Sequence, residues 1–304
     1  MFRSILVPVD GSTMAEQAVM PAAEIAKRLG ARLSLAVVHP WGPLEDAPVI
    51  GTVNDRRMRH EETQYLAALR DRLADAFGIG ALCRVLEGDP VPALTRFAEE
   101  VGADLAITST RGRGALLRAS QGDLALRLAH ALACPTLLLK PRGAAQVAVP
   151  PAGFRRILVA LDGSRLAEAG LESARALADS SRVHVTLAQV VSPLRPGLSS
   201  RRREALAYLL RIAGRLRDRD MEVDVRVLPR IKRVRALLEC ARRVRADLLA
   251  LTTRERGETR RMAFGSTADA AVHHGSVPTL VCHSLAKRGA PRRPARTHVT
   301  AAAR

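Results

Sequence analysis

The chain has 304 residues, about twice the commonest domain length, so two domains are expected; 47% apolar content excludes a disordered polymer. The net charge of +18 rests on 48 basic residues, of which only Lys27, Lys140, Lys232 and Lys287 are lysine; with 3% aromatics and no zinc-finger, RNA-recognition or basic-heptad pattern, it excludes a dedicated reader of nucleic-acid sequence. No apolar run reaches the roughly 18 residues of a membrane span, the start of the chain lacks a signal-peptide layout, and the four cysteines form no CxxC pair, which together predict a cytoplasmic protein with free, buried thiols.

In chain order, Arg3–Val9 reads as a continuous apolar strand. A helix follows on Ala18, Ala22, Ile25, Ala26 and Leu29, closed by Gly30. Ala31–His39 is a second strand, Arg56–Gly78 a long amphipathic helix, Ala81–Gly88 a third strand, Val91–Gly102 a helix and Asp104–Ser109 a fourth strand. A helix over Asp123–Leu132 and a strand over Pro135–Lys140 complete the set. Strands this uniformly apolar are buried on both faces, and alternation with helices predicts a doubly wound parallel sheet of five strands.

The pattern then repeats. "FRSILVPVDGSTMAEQAV" (Phe2–Val19) aligns with "FRRILVALDGSRLAEAGL" (Phe154–Leu171) at an offset of 152, and "ADLAITSTRGRG" (Ala103–Gly114) with "ADLLALTTRERG" (Ala246–Gly257) at 143. "CPTLLLK" (Cys134–Lys140) aligns with "VPTLVCH" (Val277–His283) at the same 143. The expected organisation is a first domain over 1–141, a linker over 142–153, a second domain over 154–285 and a disordered basic tail over 286–304. Both final strands are apolar, and an open apolar edge is normally paired or covered, which predicts packing of the two halves as an internal pseudo-dimer. Association of two chains into a homodimer is left open.

Ligands of such sheets bind in the crevice at the carboxyl ends of the strands. Asp10 and Asp162 stand there, where each first strand gives way to its helix. Such a carboxylate can accept hydrogen bonds from ribose hydroxyls, or it can cap the helix that follows. After strand four, "STRGRGALLRASQGD" (Ser109–Asp123) and "TTRERGETRRMAFGST" (Thr252–Thr267) are glycine-containing loops leading into helices, a layout that offers backbone N–H groups to phosphates. Neither matches the P-loop pattern or a GxGxxG after strand one.

The aspartate ending strand one, the Ala-Asp-Leu strand, the GxxGx₉G(S/T) loop and the closing "CPTLLL" strand together resemble the universal stress protein family in its tandem form. The resemblance implies a sheet of the adenine nucleotide alpha hydrolase-like type, adenine nucleotide bound by some members, dimerisation through the last strands and no assigned chemistry. It places Asp10 and Asp162 against the ribose, and the backbone of Val38 and Val190 against adenine. The candidate set in the first half is Val9, Asp10, Val38, Ser109, Arg111, Gly112, Gly114, Gly122 and Asp123. In the second half it is Leu161, Asp162, Val190, Thr252, Arg254, Gly257, Gly265, Ser266 and Thr267.

The loops depart from the family pattern. Ser109 and Thr252 replace the first glycine, Glu255 the second, and Asp123 the final Ser/Thr. Side chains at these points hinder close approach of phosphate to backbone, and the two carboxylates repel it. Asp123 is also a candidate N-cap that would occupy the donors a phosphate needs. The expected function is a stress-response or signalling protein that binds ATP or another adenine nucleotide, with Mg2+ as an optional companion, and has no dedicated catalysis. The competing readings are a ligand-free interaction module of the same fold and a weak ATPase, for which no general base, metal-holding carboxylate or pyrophosphate-release signature is visible.

Overall fold

The computed structural model describes residues 1–39, 53–110, 121–140, 149–150, 152–179, 183–217, 221–252 and 266–282, with only the backbone at 53, 121–123, 165–166 and 266–269. The first repeat runs β1 (Ser4–Pro8), α1 (Thr13–Glu16), α2 (Val19–Leu29), β2 (Arg32–His39), α3 (Val53–Phe77) and β3 (Ala81–Glu87). It continues through α4 (Pro90–Glu100), β4 (Leu105–Ser109), α5 (Gln121–Ala131) and β5 (Thr136–Leu139). The second runs β6 (Arg156–Ala160), α6 (Arg165–Ala176), β7 (His184–Val191), α7 (Leu198–Arg217) and β8 (Glu222–Pro229). It closes with α8 (Arg233–Arg243), β9 (Leu248–Thr252), α9 (Ser266–His274) and β10 (Thr279–Cys282).

The strands form one ten-stranded sheet in the order β3-β2-β1-β4-β5-β10-β9-β6-β7-β8. Within each repeat every pairing is parallel; β5 and β10 meet antiparallel, Leu138 opposite Thr279 and Leu137 opposite Leu280. All four of these residues are fully buried. On one face of the seam Ala125, Leu126 and Ala129 of α5 pack with Val272 of α9, Leu138 and Val281. On the other, a single apolar cluster runs from Val7 and Leu139 across to Leu280 and Val159. Arg28, in the last turn of α2, donates from its guanidinium to Ala178 O at 2.7 Å and Leu177 O at 3.1 Å, satisfying carbonyls at the end of α6 in the other repeat.

Two differences from expectation concern where helices begin. The first helix is split into α1 and α2, while its counterpart α6 is continuous. Pro21 in the first turn of α2 lacks the N–H that would have bonded Gln17, whereas Ser173 at the equivalent place donates normally. Asp123 is the third residue of α5 and therefore lies inside the first turn rather than at the cap.

The aspartate of each Ala-Asp-Leu motif is structural. Asp104 accepts from the N–H groups of Arg3 and Ser4 at 2.8–3.0 Å, and Asp247 from those of Arg155 and Arg156 at 2.9 Å. Each ties the start of one strand to the start of its neighbour, at the edge of the sheet opposite Asp10 and Asp162. Cys134, Cys240 and Cys282 are buried, Cys83 half-buried, and all four are free thiols. Among the described residues no helix is long and apolar enough to cross a membrane.

Candidate functional site

Each Asp-Gly-Ser turn divides its labour between two side chains. Gly11 adopts φ +77° and Gly163 +87°, the left-handed region where a side chain is strained. The turn brings the Ser12 N–H and hydroxyl to Asp10 Oδ1, at 3.0 and 2.5 Å, and Ser12 Oγ in turn accepts from Ala15 N–H at 3.1 Å. The second repeat has the same bonds: Ser164 donates to Asp162 Oδ1 from its N–H and hydroxyl at 3.0 and 2.6 Å and caps α6 by accepting from Ala167 N–H at 3.3 Å. Serine is therefore the helix cap in both repeats, and the exposed aspartate is relieved of capping. Among the described residues Asp10 Oδ2 accepts no hydrogen bond.

Among the described residues, the end of β2 presents backbone beside Asp10 that has no main-chain partner. Ala36 O accepts from Val9 N–H at 2.9 Å on the β1 side, and His39 O from Gly88 N–H at 3.2 Å on the β3 side. By the two-residue alternation of a strand, Val38 directs its N–H and C=O toward β1, past the point where that ladder stops. Val190 repeats this, between Ala188 O, which accepts from Leu161 N–H at 2.8 Å, and Val191 O, which accepts from Arg230 N–H at 3.1 Å.

Val9, Asp10, Val38 and Ser109 line one cleft of about 110 Å³, walled by Leu94 of α4 and Leu124 of α5. That is well below the roughly 300–1,000 Å³ of ordinary ligand pockets, so the cleft as it stands admits part of a nucleotide. Ser109 is fixed, its hydroxyl donating to Met14 O at 2.5 Å. Thr252 lies at the corresponding end of β9. Gly122 and Asp123 fall in the first turn of α5, and Ser266 and Thr267 in that of α9. Arg111, Gly112, Gly114, Arg254, Gly257 and Gly265 lie outside the described residues, and with them most of both glycine loops.

The family model for the "Universal stress protein family" matches residues 1–140 and again 153–283. The chain belongs to this family. A universal stress protein of Mycobacterium tuberculosis is 27% identical over 296 residues, covering 91% of this chain and 96% of the relative, so the tandem layout is shared end to end. A universal stress protein of Methanocaldococcus jannaschii is 28% identical over 142 residues, 46% of this chain and 83% of the relative. Among solved structures, a universal stress protein from Archaeoglobus fulgidus overlays with a TM-score of 0.71 at 20% identity, covering 92% of this chain and 96% of that one.

Two features near the site escaped the sequence reading. Tyr65 of α3 and Tyr208 of α7, the only two tyrosines, stand 143 residues apart. Burial raises the pKa of both, Tyr208 to about 12, and the charges of Glu16 and Asp10 beside Tyr65, and of Glu168 and Asp162 beside Tyr208, add to it. Each tyrosine thus feels the charge of the aspartate of its own repeat, and their spacing was the signal. The second feature is His39, fully buried next to Val38, with Nε2 2.8 Å from Asp55 and Nδ1 2.9 Å from Glu62. Arg59 extends the cluster from Asp55 to Glu87 at the end of β3. Burial holds the Glu62 carboxyl above its usual range, and the His39 ring offsets only part of that rise. The cluster pins α3 to the strand end that carries Val38.

Proposed function

We propose that this tandem universal stress protein is a cytoplasmic stress-response or signalling protein that binds adenine nucleotide, ATP foremost, without dedicated catalysis. The observation that carries the reading is the same in both repeats: serine takes over the helix cap, leaving an exposed carboxylate beside strand-end backbone that has no main-chain partner among the described residues. A carboxylate accepts from ribose hydroxyls, and a free N–H and C=O pair matches the edge of adenine. Phosphates would then extend toward α5 and α9, with Mg2+ as an optional companion. The described lining of the first cleft holds one carboxylate, already engaged by Ser12, and no histidine or lysine, which supports binding rather than turnover.

The functional units of this reading are 1–141 and 154–285, joined by 142–153, with 286–304 as a basic tail. The antiparallel β5–β10 seam supports treating them as an internal pseudo-dimer. Scattered positive charge would give salt-sensitive attachment to polyanions without sequence preference. The test is mass spectrometry of nucleotide released on denaturing protein purified without added nucleotide, followed by calorimetry of the full chain with ATP, ADP and AMP. Saturable binding lost stepwise in Asp10→Ala and Asp162→Ala supports the reading. No binding in the intact chain favours the ligand-free interaction module, and turnover above background favours the weak ATPase.

A further inference from the structure

The two repeats differ between α4 and α5 of the first and the corresponding α8 and α9 of the second, away from the Asp-Gly-Ser turns. In the first repeat this gap is filled: Phe97 of α4 and Leu132 after α5 are buried and pack with Leu94 and Leu128. The equivalent positions in the second repeat, at the offset of 143, are Cys240 and Gly275. Gly275 lines the opening and leaves its wall without the isobutyl group of Leu132, whereas Cys240 stays buried among Leu237, Leu249 and Ala271. A groove of about 970 Å³ lies there, between α8 and α9, at the upper end of ligand-pocket sizes. Its floor is apolar, formed by Val234, Leu238, Ala241 and Val277.

The charges change in the same place and in one direction. Asp89, which caps α4 by accepting from Val91 N–H, is replaced by Lys232, which leaves α8 without a side-chain cap. Glu99 is replaced by Arg242, and Gly102 by Arg245. Gly102 adopts φ +60°, and Arg245 holds φ +51°, the one non-glycine residue with positive φ among those described. A bulky residue in that conformation costs roughly 1–2 kcal/mol, and a cation at a helix N-terminus opposes the helix dipole. Lys232, Arg233, Arg242 and Arg245 all line the groove, and among the described residues none of them forms an ion pair. The nearby carboxylate, Glu239, is held by Arg235 at 3.0 Å, and the charges of Arg230 and Arg242 also act on it from farther away. Cations thus gather at both ends of α8, about 14 Å apart from Arg233 to Arg242 at ~1.5 Å per residue, with apolar surface between.

We propose that the α8–α9 groove is a second ligand site, specific to the second repeat, for an elongated organic dianion with an apolar middle. One acidic group would sit among the uncapped N–H groups of α8, Lys232 and Arg233, and the other between Arg242 and Arg245. The hydrocarbon body would cover Val234, Leu238 and Ala241. The site is independent of the adenine-nucleotide reading, since it shares no residue with the Asp10 or Asp162 turns.

The test is calorimetry of the full chain with three probes of one length: dodecanedioate, dodecanoate and dodecanol, each below its aggregation threshold. The expected order is dodecanedioate tightest, dodecanoate at least about tenfold weaker, and dodecanol weakest, because each lost carboxylate forfeits one cation cluster. Arg242→Glu/Arg245→Gly installs the first repeat's own residues, so folding is expected to survive. It should reduce dodecanedioate to the affinity of dodecanoate, and Lys232→Asp should do the same from the other end. Leu238→Thr, again the first repeat's residue, should weaken all three probes. Arg202→Glu/Arg203→Gln on the exposed face of α7 changes net charge without touching the groove and should leave binding unchanged. The proposal is overturned if no probe saturates at one per chain. It is equally overturned if the three probes bind alike, or if the α7 control weakens dodecanedioate as much as the groove variants do.

Discussion

A Cβ built on Gly170 in α6 would stand 2.7 Å from the Thr252 hydroxyl at the end of β9. The equivalent positions in the first repeat carry Ala18, fully buried, and Ser109. One methyl group has moved from the helix to the strand end, which keeps the volume between the two constant. Glycine inside a helix costs roughly 0.5–1 kcal/mol relative to alanine, so the exchange is not neutral for α6.

Gly170→Ala alone should therefore destabilise the protein by about 1–3 kcal/mol, since overpacking outweighs the gain in helix propensity. Gly170→Ala/Thr252→Ser restores the first repeat's pair and should match or exceed the parent by up to about 1 kcal/mol. Urea denaturation of the four proteins in the double-mutant cycle measures the coupling. Additive effects would show that the contact does not constrain α6.

The division of labour in the Asp-Gly-Ser turns separates stability from binding. Ser12→Ala should cost about 1 kcal/mol through loss of the cap, read from thermal melts without nucleotide. Asp10→Ala leaves that cap in place and should weaken ATP, ADP and AMP alike, by roughly the 1.5–3 kcal/mol of a hydrogen bond to a charged group. A loss that grows with phosphate number would contradict a ribose-facing role for Asp10.

The repeated "ILVPVDGS" and "ILVALDGS" were enough to place β1 and β6, the turns and the parallel sheet, because apolar runs, left-handed glycines and caps are local properties. The strand order within each repeat was not legible, because right-handed crossovers are compatible with several orders. Which residue of Asp10 and Ser12 caps the helix was not legible, since both types cap well and only the direction of the turn decides. Tyr65 and His39 were missed for a different reason: their partners Asp10, Glu16, Asp55 and Glu62 lie on other elements, and no short motif spans them. Even so, Asp55 and Glu62 are seven residues apart on α3, two turns along one face, which in retrospect marks the side that receives His39.

The His39 cluster holds α3 against β2 by hydrogen bonds in a buried setting, where breaking one partner strands the others. His39→Leu should destabilise by about 3–5 kcal/mol, because Glu62 and Asp55 lose a shared donor without regaining water. His39→Leu/Glu62→Leu removes one of the stranded carboxyls and should recover much of that loss, Asp55 keeping Arg59. Full additivity of the two substitutions in denaturant unfolding would contradict a coupled cluster. Proteolysis around 53–77 should accelerate in the single variant if the cluster is what docks α3.

Lys140, directly after β5 at the seam, is 9% exposed, and burial lowers its pKa from the ordinary 10.5 to about 8. In the unfolded chain the amine keeps its proton up to about 10.5, and in the folded chain it loses it near 8. Between those values the unfolded state binds the extra proton, so the Lys140 contribution makes stability rise with pH through this window. Below about pH 8 both states are protonated and the burial penalty is fully present. Lys140→Met keeps the aliphatic stem and removes the charge, so it should stabilise the protein at pH 7 by up to about 3 kcal/mol. That advantage should shrink as pH rises from 8 to 10.5. Denaturation midpoints of the parent and Lys140→Met at several pH values test this; parallel curves across that range would show that the amine is solvated in the folded state.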